Sequence, residues 1–128
     1  MAKIENTVWS KKGFQKMDFP IIAKLAGVTF SDAQQNIKKF GCRDIMTYAL
    51  IREPENPHDL NAIRVSLFDL FFMGYVPSHL ARKLAPLMDS GRNFLAYFVQ
   101  RNESLYHDTV GMTVKIVETT KKINEEEE

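Results

Sequence analysis

The run from Ala62 to Pro77, A-I-R-V-S-L-F-D-L-F-F-M-G-Y-V-P, admits few folds. Ile63, Val65 and Leu67 alternate with Arg64 and Ser66, so an extended segment here has one apolar face and one polar face. A short turn at Asp69-Leu70 leads into a second strand-like segment, Phe71 to Pro77, which makes a β-hairpin. Other segments of strand length flank it. Ile21 to Thr29 reads as a first strand broken by Gly27, and Ile45 to Ile51 reads as a buried strand. Phe94 to Gln100 and Val110 to Val117 supply two more, on either side of the polar loop R-N-E-S-L-Y-H-D-T.

Two segments break the strand pattern. Ser31 to Gly41 is polar with no clean period, and is expected to hold a helical turn capped by Ser31 or Asp32 and stopped by Gly41. Ser78 is placed to cap a helix whose apolar positions Leu80, Leu84, Leu87 and Met88 fall at i, i+4, i+7 and i+8. Pro86 interrupts that pattern, so a kink or two short helices closed by Gly91 are expected. The fold class is α+β, mostly β: a small barrel of five to six strands with one or two inserted helices.

A chain of 128 residues fits one domain with a core of its own. The net charge is +1, and Glu125 to Glu128 account for −4 of it, which leaves +5 on residues 1–124. A mildly basic body tolerates phosphate, and the glutamate run is expected to be a disordered acidic tail over 119–128. Residues 1–20 mix Lys11, Lys12 and Lys16 with Trp9, Phe14 and Phe19, and are expected to form an irregular arm. The single Cys42 forms no internal disulfide, and no Cys/His spacing resembles a zinc site, so no metal or cofactor is expected. The start lacks an apolar leader, and the longest apolar stretch, around Leu70 to Met73, is too short for a bilayer. A soluble, cytoplasmic protein is the expectation. No G-x-x-x-x-G-K-[ST] phosphate loop, nucleophile motif or placed acid pair is present, so no enzyme is expected.

The connection R-E-P-E-N-P-H-D-L-N-A-I-R-V, Arg52 to Val65, is the most specified loop in the chain. Pro57 fixes its own φ and pushes Asn56 toward extended geometry. Asp59 and Asn61 can each bond nearby backbone amides and hold the turn. One reading is a rigid lead-in to the following strand, with every polar group satisfied locally. The other is a rigid loop that holds His58 and Asp59 outward at one end of a sheet, where a ligand meets them.

Three stretches together resemble the HIRAN domain: A-G-V-T-F at Ala26–Phe30, the Arg52–Val65 loop, and M-G-Y-V-P-S-H-L-A-R-K-L-A-P-L-M-D-S-G from Met73 to Gly91. That domain stands at the front of helicase-like transcription factor and related fork-remodelling translocases, and also occurs as small free-standing proteins. The resemblance covers residues 21–117 and places the domain at 21–118. It implies a small β-barrel related to the oligonucleotide-binding fold. It also implies binding of the 3′ end of single-stranded DNA, by stacking terminal bases on aromatic rings and hydrogen-bonding the terminal hydroxyl. By position, Asp59 matches the acid that meets the hydroxyl, Phe30 a stacking aromatic, His58 a site that is aromatic or His, and Tyr75 a further ring contact. Thr29 stands where DNA-end binders carry an Arg, and Ser78 where they carry a Lys. Arg52, Arg64, Arg82 and Lys83 would substitute for those cations, and the Tyr106–His107 loop would add a ring at the rim. The implied role is in DNA repair or replication-fork processing, with a helicase or nuclease as protein partner. The competing reading is a protein-protein adapter that kept the fold and lost the DNA-end site, motivated by Thr29, Ser78 and the run Leu70-Phe71-Phe72.

Overall fold

The computed structural model describes residues 19–45 and 47–120; most of the expected arm, and the tail from 121 onward, lie outside them. Six strands form one antiparallel sheet: β1 (Ile21–Lys24), β2 (Thr47–Arg52), β3 (Ile63–Leu67), β4 (Phe71–Tyr75), β5 (Asn93–Asn102) and β6 (Gly111–Thr119). Their order is β1-β6-β5-β2-β3-β4. The sheet curls until its two outer strands meet. Ala26 and Tyr75 exchange both backbone hydrogen bonds, each 2.8 Å, in a single bridge between the end of β1 and β4. That approach depends on Gly74, at φ +147°, where a Cβ would lie 2.9 Å from the Ala26 carbonyl oxygen.

The concave face carries Ala23, Tyr48, Leu50, Ile63, Val65, Ala96, Met112, Val114 and Ile116, all buried. Two helices, α1 (Ser31–Phe40) and α2 (Ser78–Asp89), add Ile37, Leu80, Ala81 and Leu84 to the same core. The expected OB-like α+β class is therefore the observed one: a curled six-stranded half-barrel with two helices. No helix among the described residues is long and apolar enough to cross a membrane.

Both helices differ from their expected form. The polar segment after Phe30 is a full helix of 10 residues, and its N-cap is Phe30 rather than Ser31 or Asp32. An isolated helix of that length is marginal in water, so tertiary contacts must hold it. Ala33 and Ile37 are fully buried, and burying the Ile37 side chain alone contributes about 2 kcal/mol. Two side-chain amides add anchors: Asn36 Nδ2 donates to the Phe72 carbonyl at 2.9 Å, and Gln34 Nε2 to the Val28 and Val110 carbonyls at 2.6 and 2.7 Å. The Asn36 bond also covers the free edge of β4.

The second helix runs unbroken through Pro86, with Pro77 rather than Ser78 as its N-cap. Pro86 sits in the last turn and is exposed, so only one intrahelical bond is lost while Leu84 and Ala85 stay fully buried. Gly91 does stop the helix, as expected, one residue beyond the C-cap Ser90. On β3 the alternation breaks at a bulge between Val65 and Ser66, and Ser66 is buried along with the apolar set.

Tyr48 is the largest fully buried side chain, and its hydroxyl donates to the Phe40 carbonyl at 2.6 Å, tying β2 to the end of α1. Burial is the main cause that raises its pKa from 10.0 to about 12. A folded-state value above the ordinary one means that its stabilisation is complete below pH 10 and is lost as the pH rises toward about 12. Tyr48→Phe is expected to lower stability at neutral pH by about 1 kcal/mol. It is also expected to flatten the alkaline decline, as read from urea melts across that range.

Candidate functional site

The Ala26–Tyr75 bridge fixes Tyr75 beside the turn that follows β1. Gly27, at φ +66°, lets the backbone pass under the Tyr75 ring, where a Cβ would sit 3.2 Å from Tyr75 Cδ2 and 3.5 Å from the Phe30 ring. Phe30 closes that turn and Phe72 faces it from β4. Phe72 and Tyr75 pack edge to face at 5.1 Å between centroids, and Phe30 lies 6.4 Å from Phe72. The three rings wall an open groove of about 460 Å³, completed by Ser31, Asp32 and Arg64. Phe30 remains 59% exposed, so its ring has surface to offer a ligand.

A polar network joins these rings to the Arg52–Val65 loop. The Tyr75 hydroxyl and Asn56 Nδ2 both donate to Glu53 Oε1, each at 2.9 Å. Burial first, then the bond to Glu53, raises the Tyr75 pKa, so the hydroxyl stays a neutral donor. The other atom of the Asn56 amide, Oδ1, accepts from the backbone N–H groups of His58 at 2.8 Å and Asp59 at 3.1 Å. One side chain thus folds the loop and connects it to the groove. Asp59 Oδ1 accepts from the Asn61 N–H at 2.9 Å, while its Oδ2 accepts no hydrogen bond among the described residues. His58 is exposed and Asp59 half-buried.

Arg64 is the one cation lining the groove among the described residues. Its Nη2 reaches Asp69 Oδ1 at 2.7 Å and its Nε lies 3.7 Å from Glu53 Oε2. The Nε is buried without a hydrogen-bond partner among the described residues. Two carboxylates, Glu53 and Asp69, stand around this single guanidinium, and a third, Asp32, lines the same groove. The floor therefore suits a flat, uncharged group better than a phosphate.

The structure brings Phe30 and Tyr75 together and links His58 and Asp59 to them through Asn56. It sends Arg52 elsewhere: Nε and Nη2 grip both oxygens of Asp89 at 2.8 and 3.1 Å, and Nη1 donates to the Ala62 carbonyl at 2.9 Å. The bidentate contact raises the Arg52 pKa and lowers that of Asp89. Arg52 is a positioning residue that locks the base of the loop to the end of α2. Thr29 is exposed beside Phe30; Ser78 and Arg82 are exposed and one turn apart on α2. Tyr106 lies in the β5–β6 loop and is exposed, and the base of that loop is tied to the Phe30 turn by Gln34, which also accepts from the Val110 N–H at 2.9 Å. Sequence reasoning missed Phe72, Glu53 and Gln34 as site residues. Phe72 carried a signal in its place on the hairpin strand leading to Tyr75; the other two carried none.

The HIRAN domain family model matches residues 20–118. The chain belongs to the HIRAN domain family. Among solved structures, this HIRAN chain is similar to a protein from Lactobacillus plantarum at 22% identity and a TM-score of 0.55, covering 74% of this chain and 90% of that one. It is also similar to the HIRAN domain of human HLTF, at 19% identity and a TM-score of 0.49, covering 75% of this chain and 73% of that one. No curated protein matches it.

Gly27→Ala tests how tightly the ring cluster is built. The positive φ strains any residue with a Cβ by about 1–2 kcal/mol, and the added methyl presses on the Tyr75 ring. The expected result is a lower denaturation midpoint by that amount with an unchanged slope.

Proposed function

We propose that this HIRAN chain is a non-catalytic DNA-binding module that takes the 3′-hydroxyl end of a single strand into the groove. The family is known for DNA binding. The observation that carries the reading is the coupling, through Asn56, of the three-ring groove to the loop holding Asp59. The terminal base stacks in the groove against Phe30, with Phe72 and Tyr75 completing the wall. Each base–aromatic contact of this kind contributes about 1–3 kcal/mol. The carboxylates around Arg64 leave phosphates to the rim, where Arg82, one turn along α2 from Ser78, supplies charge in place of the family's Lys. Arg64, engaged by Glu53 and Asp69, does not replace the phosphate-holding Arg that the family carries at Thr29. His58 and Tyr106, both exposed, are the further rings offered to the strand.

Asp59 Oδ2 accepts the hydrogen bond of the free 3′-hydroxyl. An internal 3′ oxygen is esterified and has no proton to give, and a terminal phosphate would be repelled. Such a reader belongs in DNA repair or fork processing, alongside a helicase or nuclease in the same compartment.

Fluorescence anisotropy with oligonucleotides ending in a free 3′-hydroxyl, a 3′-phosphate or a blunt duplex tests the reading at low and moderate salt. The free hydroxyl is expected to bind at least about tenfold more tightly than the phosphate, as a hydrogen bond to a charged acceptor implies. Asp59→Ala is expected to erase that preference while leaving residual stacking affinity. Equal losses on both ends would count against it, and no binding even at low salt would redirect the search to protein partners.

A further inference from the structure

Asp32 holds nothing together in the groove that it lines with Phe30, Arg64, Phe72 and Tyr75. It stands in the first turn of α1, yet that helix begins at Phe30 with no side-chain cap bond. The field of a helix N-terminus favours an acid there but fixes it in no particular contact. The side chain is exposed, and its carboxylate has no hydrogen bond or ion pair among the described residues. Glu53 and Asp69, by contrast, are engaged with Tyr75, Asn56 and Arg64. Asp32 therefore keeps its full acceptor capacity inside the groove.

A donor of the opposite character lines the same groove. Arg64 gives Nη2 to Asp69 at 2.7 Å and turns Nε toward Glu53, while its Nη1 has no hydrogen bond among the described residues. Nη1 is not shut away as Nε is, so its N–H groups stay accessible. A base that stacks on Phe30 thus enters a space with a free carboxylate and a free guanidinium nitrogen.

A carboxylate accepts best from two N–H donors side by side, one on each oxygen. Guanine offers that pair, N1–H beside its 2-amino group, with O6 next to them as an acceptor for Arg64. Adenine and cytosine set one amino group beside a ring nitrogen, whose lone pair repels the second carboxylate oxygen. Thymine sets a single N–H between two carbonyl oxygens.

We infer that Asp32 is a specificity-determining residue, which selects guanine as the terminal base of the bound strand. This rests on the nucleic-acid reading of the groove and deepens it, from any free end to one that closes on guanine.

The test is anisotropy with thymidine decamers whose last nucleotide is dG, dA, dC, dT or deoxyinosine, each with a free 3′-hydroxyl, on the wild type and Asp32→Ala. The dG-ended strand is expected to bind the wild type about tenfold more tightly than the dT-ended one. Deoxyinosine keeps N1–H and O6 but lacks the 2-amino group, and should lose most of that advantage. Asp32→Ala should bring the dG and dT strands to the same affinity. The ratio is the readout, because loss of a negative charge strengthens every strand alike. A preference that dA shares with dG, or one that survives Asp32→Ala, reflects purine stacking and overturns the inference. Equal binding of all these strands by the wild type, with a 3′-hydroxyl still favoured over a 3′-phosphate, also overturns it and leaves the groove reading standing. Failure of the wild type to bind any strand removes the groove reading and this one with it.

Discussion

Two hydrogen bonds between Ala26 and Tyr75 decide the shape of this protein. Without them the sheet would end in two separate edges, with β1 and β4 at opposite margins. With them the sheet curls on itself, the concave face becomes a core, and the turn carrying Phe30 is pressed against β4. The small residues on either side make this approach feasible. Gly74 lets the backbones come within bonding distance, and Gly27 lets the chain pass under the Tyr75 ring. The bridge that closes the half-barrel is also the bridge that assembles the ring groove, so fold and site share one constraint.

The site has a second layer, which couples loop to groove through side chains. Glu53 collects the Tyr75 hydroxyl and the Asn56 amide on one oxygen, and the same Asn56 bends the loop so that Asp59 is held at its end. At the loop's base Arg52 is locked between Asp89 and the Ala62 carbonyl. Two interpretations of the loop, structural rigidity and ligand recognition, are therefore not rivals. The local bonds that satisfy Asn56 and Asp59 Oδ1 are what leave His58 and Asp59 Oδ2 in a defined place. Electrostatics set the character of the groove: its one guanidinium, Arg64, is already engaged by Glu53 and Asp69, and Asp32 is the carboxylate that lines it.

Much of this was legible in the residue pattern. The hairpin from Ala62 to Pro77 followed from alternation and a short turn, and the Asn56–Asn61 loop from residues that bond their own backbone. The resemblance of three stretches to the HIRAN domain pointed to the family, which the family model matches over residues 20–118. What the pattern missed were features whose stability is borrowed from elsewhere in the chain. Residues 31–40 look too polar for a helix, because their apolar stripe is only Ala33, Ile37 and Phe40; burial against β4 and β6, with Gln34 and Asn36 bonding distant carbonyls, makes them one. Pro86 looked like a break, yet its ring faces solvent while Leu84 and Ala85 are held in the core.

The sequence by itself determined the strand set, the rigid loop and the candidate rings, because periodicity, proline and asparagine act over a few residues. Only the tertiary structure decided which of these meet. Nothing local distinguishes Arg52 from Arg64; the fold spends the first on Asp89 and turns the second into the groove. Nothing local brings Phe30 to Phe72 and Tyr75; the long-range pairing of Ala26 with Tyr75 does. Contacts between distant parts of the chain exist only once the core has closed, and so they are not written in any single stretch of it.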